Sequence, residues 1–194
     1  TDVNMYLDFS LPGEIMGGKG EAPPITLAHL MAHTPGFEDV GQGLFQLLED
    51  QMLPLSEYVR TNIPARVFPP GELVAYSNYG TALAAYIVEL VSGQQFADYV
   101  EEHILKPLGM ERSTFRQPIP KHLAHDAAFG HRYIDGEAVA ADFLFVLEAP
   151  GALSSTASDM ARFMLAHLHG GERDGKRMMQ EETVRQMQTR LFSQ

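Results

Sequence analysis

Apolar positions along this chain fall into short runs whose spacing changes several times. Residues 1 to 24 lack periodicity and are rich in glycine and proline (Pro12-Gly13, Gly17-Gly18, Pro23-Pro24), which predicts an extended lead-in crossing a surface. Thr26 stands where an N-cap belongs, followed by Leu27, Leu30 and Met31 at helical spacing, with Pro35-Gly36 as the stop. Leu44, Leu47 and Leu48 repeat that spacing, and a short helix is expected from Ser56 to Thr61. Pro64 and Pro69-Pro70-Gly71 then force a turn, because proline lacks a donor and restricts the residue before it.

The fullest helical signal lies between Val67 and Met110. Leu73 to Tyr76 reads as extended, Ser77 as an N-cap, and Tyr79, Leu83, Tyr86, Ile87, Leu90 and Val91 as one stripe ending at Gly93. Phe96, Tyr99, Val100 and Ile104 predict the next helix, closed by Pro107-Leu108-Gly109. From 127 to 143 the period changes: AAFGHRYI, then Asp135-Gly136, then EAVAADF predicts a β-hairpin with a type I′ turn. Thr156 with Asp159 resembles a capping box, with Asp in place of the usual Glu or Gln. Met160, Phe163, Met164, His167 and Leu168 form that helix's expected stripe, Gly170-Gly171 its end, and Val184, Met187 and Leu191 a last helix. No internal repeat is present. The reading is one mainly α (sub)domain over 1–194 with a small β-hairpin.

Composition narrows the partners. With 194 residues and 45% apolar side chains, a real core can form. Twenty-five acidic against 14 basic side chains give a net charge of −11, which repels nucleic acid and anionic membrane surfaces. No apolar run approaches a membrane span, so none is expected. Cysteine is absent, which excludes thiolate chemistry and leaves the compartment open. The opening Thr1-Asp2-Val3-Asn4 is not a signal peptide and lacks an initiator methionine, so the chain reads as a fragment.

Tyr76 and Asn78 are the first candidates for chemistry. In an extended segment, residues i and i+2 project from the same side. A phenol and an amide aimed together can relay a proton and orient a carbonyl or an ammonium. The plainer alternative is a half-buried core aromatic beside a first-turn residue. His29 and His33 stand four apart on a helix, a metal-compatible spacing without the Glu of HExxH, and His122, His125 and His131 show no third-ligand pattern; no metal is expected. No serine precedes a lysine by three or sits in a G-x-S-x-G elbow. Met160, Met164, Met178 and Met187 read as core filler.

Taken in order, ITLAHLMAHTPGF, FPPGELVAYSNYG, VSGQQFADYVEEHILKPLGMERSTF and APGALSSTASDMARFM resemble the serine β-lactamase and penicillin-binding-protein-like family, in its class C and esterase-like branch. The resemblance runs over nearly the whole chain. It implies the helical domain of the β-lactamase/transpeptidase-like α+β fold, lacking most of the α/β sheet domain. It also implies a small acyl substrate (β-lactam, peptide or ester) and no cofactor. In that family a Ser-x-x-Lys supplies nucleophile and lysine, a Tyr-x-Asn loop supplies base and amide, and a Lys/His-x-Gly strand supplies a binding edge. Tyr76-Ser77-Asn78 matches the second element. His33-Thr34-Pro35-Gly36 matches a structural His-Thr-Ser-Gly segment, with proline replacing serine. The APGALSS loop, with Gly151 and Ser154, matches a segment near the substrate entrance.

No Ser-x-x-Lys occurs in the 194 residues, and the one Lys/His-x-Gly candidate, His169-Gly170-Gly171, lies at an expected helix end and matches a different segment. A free tyrosine, with a pKa near 10, is phenolate in only about one molecule in a thousand at neutral pH, and the cation that would favour it is missing. The chain alone is therefore expected to lack acyl transfer, having no nucleophile. A non-catalytic binding or structural helical domain is the competing reading, and a metalloenzyme built on His29 and His33 a distant third. Loss of a packing half would expose an apolar face around Tyr76, which predicts self-association through it.

Overall fold

The computed structural model describes residues 1–18 and 22–190. Its helices and strands are, in chain order, α1 (Leu27–Met31), β1 (Phe45–Gln46), α2 (Leu55–Thr61), α3 (Asn78–Ser92), α4 (Phe96–Val100), α5 (Lys121–Ala124), β2 (His131–Ile134), β3 (Glu137–Ala140), β4 (Phe145–Val146), α6 (Glu148–Gly151), α7 (Ala157–Leu168), β5 (Glu172–Arg173), β6 (Lys176–Arg177) and α8 (Glu181–Met187). The expected helical preponderance is present. The strands pair two by two, all antiparallel: β1 with β4, β2 with β3, β5 with β6. Among the described residues no helix is long and apolar enough to cross a membrane.

The lead-in is more than a surface crossing. Val3 is fully buried in a one-turn 3₁₀ helix that Asp2 caps, and Leu11 joins the same core. Polar ties hold it down. Arg66, only 4% exposed, donates to the carbonyls of Pro12 at 3.1 Å and Pro23 at 2.6 Å. Asp8 pairs with Arg60 and accepts the Tyr86 hydroxyl at 3.0 Å. The Arg60 guanidinium holds the Asp8 carboxyl below its usual range.

Helix α3 is the post around which the first core is built, touching α1, α2, α4 and α6. Its sequence explains both ends. Ser77 Oγ accepts the Gly80 N–H at 3.0 Å, and Gly93 closes the helix in the left-handed region at φ 72°. Tyr79, Leu83, Tyr86 and Ile87 are buried as the stripe requires, whereas Val91 is exposed. Thr26 caps α1 as expected, and His29 completes the box by accepting the Thr26 N–H on Nδ1 at 3.2 Å. That helix ends at Ala32, short of Pro35, because His33 turns to φ 53°.

Four expectations need correction. Leu44, Leu47 and Leu48 do not form a helix: Leu44 is buried and accepts the Leu147 N–H at 2.8 Å, because β1 is captured by β4. Of the expected α7 stripe, Met160 and Phe163 pack on a second core of Val100, Leu105, Leu108, Met110 and Ala166, but Met164 and Leu168 do not, being 60% and 74% exposed. The rotation of α7 is set by Asp159, which is buried. Its N–H is capped by Thr156, but its carboxylate accepts the Arg112 N–H at 2.8 Å and the Ser113 hydroxyl at 2.9 Å, and pairs with Arg162. The reciprocal half of the capping box is therefore not made. Met187 is also exposed, and Leu191 lies outside the described residues.

The hairpin forms as the sequence predicts, with Asp135 and Gly136 both at positive φ (51° and 90°), and all eight of its strand residues are exposed.

Helix α4 has no side-chain cap from Gln95. A carboxylate serves instead: Glu89 accepts the Phe96 N–H at 2.9 Å, and Glu148 lies close by. Burial, then the charge of Glu89, pushes Glu148 up to about 7 from 4.5. Between those values the folded state binds more protons than the unfolded one. Stability is therefore greatest below 4.5 for this group and falls as pH rises through 7, by on the order of 3 kcal/mol. Urea denaturation near pH 5 and near pH 8 is expected to show that loss, and Glu148→Gln to remove most of it. An equal loss in the variant would place the titrating group elsewhere.

Candidate active site

The triplet 76–78 sits at the junction between an irregular extended stretch and α3. Ser77 points inward, 1% exposed, so its two neighbours lie on the other side of the backbone, as the two-residue repeat demands. Tyr76 is 60% exposed, which removes the reading of a half-buried core aromatic. Asn78 occupies the first position of α3 and is half-buried. Among the described residues, neither the Tyr76 hydroxyl nor the Asn78 carboxamide has a hydrogen-bond partner. Both polar groups are uncommitted.

Their platform is the turn at 33–36. The His33 ring stacks on Tyr76 with centroids 4.5 Å apart and planes inclined by 32°. Its Nδ1 accepts the Ser77 N–H at 3.3 Å, which leaves the ring proton for Nε2, and its carbonyl accepts the Ala75 N–H at 2.8 Å. Further along, the Thr34 carbonyl accepts the Gly71 N–H at 2.8 Å, and the Gly36 carbonyl accepts those of Val67 at 2.7 Å and Phe68 at 3.2 Å. Gly36 is required there: at φ 81° a Cβ would lie 2.0 Å from the Phe68 carbonyl oxygen. Two loops far apart in sequence are thus laced together by backbone bonds, and the lacing fixes the phenol.

His29 and His33 do not act as a pair. His29 is committed to the start of α1, with its ring held below the usual imidazole range by burial, while His33 serves the triplet. Among the described residues no group of three His, Asp or Glu is arranged to hold a metal.

Ser154 and Gly151 occupy other ground. The backbone of Ser154 exchanges two 2.9 Å hydrogen bonds with Thr114, and its side chain lines a cleft of about 380 Å³ with Arg112, Ser155 and Thr156. Ser155 Oγ meets Ser113 Oγ at 2.8 Å, and Ser113 donates to Asp159, so this cleft wall is braced from the buried carboxylate. Gly151 ends α6, where a Cβ would lie 2.5 Å from Val146 Cγ1. No hydrogen bond or ring contact joins either residue to Tyr76 or Asn78. The connection is indirect, through α6 packed on α3. The sequence reading gave Asp159 only as a capping residue and His33 as part of a structural segment; it missed their partners, 46 and 44 residues distant, which leave no local signal.

Comparison with known proteins places the chain in a family. The family profile described as Beta-lactamase matches residues 3–194. Penicillin-binding protein 4* of Bacillus subtilis is 26% identical over 156 residues, covering 72% of this chain and 34% of that protein. Monacolin J acid methylbutanoyltransferase of Aspergillus terreus is 36% identical over 115 residues, covering 56% of this chain and 27% of that protein. Among solved structures, an octameric penicillin-binding protein homologue from Pyrococcus abyssi superposes with a TM-score of 0.73 at 25% identity, covering 98% of this chain and 43% of that one. The chain spans less than half the length of the curated relatives it matches.

Proposed function

Because this chain belongs to the beta-lactamase family, we propose that it supplies the Tyr-x-Asn element and the helical walls of a serine hydrolase or acyltransferase site. The relatives include penicillin-binding proteins, a β-lactamase and an acyltransferase. The observation that carries the reading is the uncommitted Tyr76 hydroxyl beside the uncommitted Asn78 amide, both displayed from a laced platform. In an intact site Tyr76 relays the proton between an attacking serine and the leaving group, and Asn78 orients the acyl carbonyl or the neighbouring lysine. Ser154 and Gly151 belong to the substrate entrance. The substrate is a small acyl compound: a β-lactam, a peptide or an ester.

The 194 residues contain no Ser-x-x-Lys and no Lys/His-x-Gly strand, so this chain by itself carries out no covalent acyl transfer and is the helical part of a larger α+β unit. Incubation with a fluorescent penicillin is expected to leave it unlabelled, and a label mapped to any of its residues would overturn that reading. Gene sequence separates it from a stand-alone binding or structural domain: an upstream Ser-x-x-Lys supports the enzyme part, a start codon at Thr1 the stand-alone domain. Phe68, Leu73, Val74 and Tyr76 form an exposed apolar strip around the triplet, which favours self-association of the chain when it stands alone. In the same preparation, light scattering is expected to find oligomers; a clean monomer counts against that strip as a contact.

A further inference from the structure

The second core is flanked by an apolar pocket that opens to solvent on one side. Between the last turns of α3, the segment 96–110 and the first turns of α7 lies a cavity of about 280 Å³ whose lining is entirely apolar. Val88, Val100, Ile104, Met110, Phe115 and Met160 form its walls, and Leu153, 39% exposed, stands at its rim. Most of its lining residues are only partly buried, so it is a half-open pocket at the edge of the core and not an enclosed void. Its size is close to the lower end of ligand pockets, about 300 Å³.

A second feature bears on the same wall. Beyond α4 the chain takes a π-helical turn at Glu101–Leu105, in which the Lys106 N–H reaches back five residues to the Glu101 carbonyl at 3.0 Å. Such turns are rare and concentrate at functional positions. Ile104 and Leu105, on this turn, both line the cavity.

We propose that this cavity is a binding site for a small uncharged hydrocarbon-like ligand, of the size of an alkylbenzene or a medium alkyl chain. The walls offer no donor or acceptor, so a polar head placed inside would lose its hydration without repayment. Val88 lies ten residues along α3 from Asn78, about 15 Å of helix axis, so the site is separate from the triplet and does not depend on the acyl-transfer reading.

Methyl NMR of the chain labelled at methionine, titrated with n-butylbenzene, tests it. Met110 and Met160 line the cavity, whereas Met5, Met16 and Met164 are exposed and serve as internal controls. Saturable shifts confined to Met110 and Met160 are expected, together with at least a ~10-fold weaker affinity in Ile104→Trp, which fills the space. Should that variant fail to fold, Val100→Leu is the milder filling, with a smaller loss of affinity expected. No shift up to the ligand's solubility limit overturns the proposal. So do shifts shared by the exposed methionines, or undiminished binding in a folded, filled variant.

Discussion

Replacing Gly36 with alanine is expected to destabilise the chain by more than about 4 kcal/mol, beyond the usual range for a single substitution. Two costs add. A residue with a Cβ pays roughly 1–2 kcal/mol to sit in the left-handed region, and Gly36 is at φ 81°. The new Cβ would also lie 2.0 Å from the Phe68 carbonyl oxygen and 2.9 Å from its carbon. Both are backbone atoms, and the Phe68 N–H is itself bonded to the Gly36 carbonyl, so the obstruction cannot swing aside. Relief requires the 33–36 turn to separate from the 67–77 stretch, taking the His33 ring off Tyr76. Urea denaturation monitored alongside the Tyr76 ring resonances checks both consequences. A loss below about 1 kcal/mol with unmoved resonances would mean the two loops are not rigidly laced.

Asp159→Ala is expected to cost about 2–4 kcal/mol, since each buried donor left without its acceptor costs about 1–3 kcal/mol. The carboxylate, 1% exposed, serves the Arg112 N–H, the Ser113 hydroxyl and Arg162 at once. Its removal strands those donors, and an unsatisfied buried donor costs more than the bond it made was worth. Asp159→Asn keeps an acceptor and should lose less. The comparison is made from denaturation midpoints at unchanged slope. Equal losses would shift the weight from hydrogen bonding to the charge itself. Because Ser113 also holds Ser155, the alanine variant should loosen the cleft wall that carries Ser154.

What the sequence made legible was local. Thr26, Ser77, Thr156 and Gly93 mark helix ends because a cap acts on atoms within one turn. The Asp135-Gly136 turn shows for the same reason, both residues needing positive φ. Failures came where a distant partner decided. Leu44 has helical spacing with Leu47 and Leu48, yet β4, some hundred residues on, claims its neighbourhood as strand. Asp159 has the spacing of a capping residue, yet its carboxylate is drawn off by the 112–113 backbone and hydroxyl. The candidate site divides along the same line. Tyr76 and Asn78 flank the buried Ser77, an alternation that two-residue spacing brings forward. His33 supports them only because the fold brings it across, so spacing could present it merely as half of a histidine pair.

The fastening of the first 25 residues bears on how the chain is born. Arg66 is 54 residues beyond Pro12, Arg60 is 52 beyond Asp8, and Tyr86 is 78 beyond Asp8. A nascent chain leaves the ribosome from its N-terminus, at roughly 5–20 residues per second, and a contact cannot close before its later partner has emerged. The lead-in therefore cannot dock until residues 60–86 have emerged, and for several seconds Val3 and Leu11 travel as exposed apolar side chains. Contacts of such long sequence separation are the slow ones in any fold.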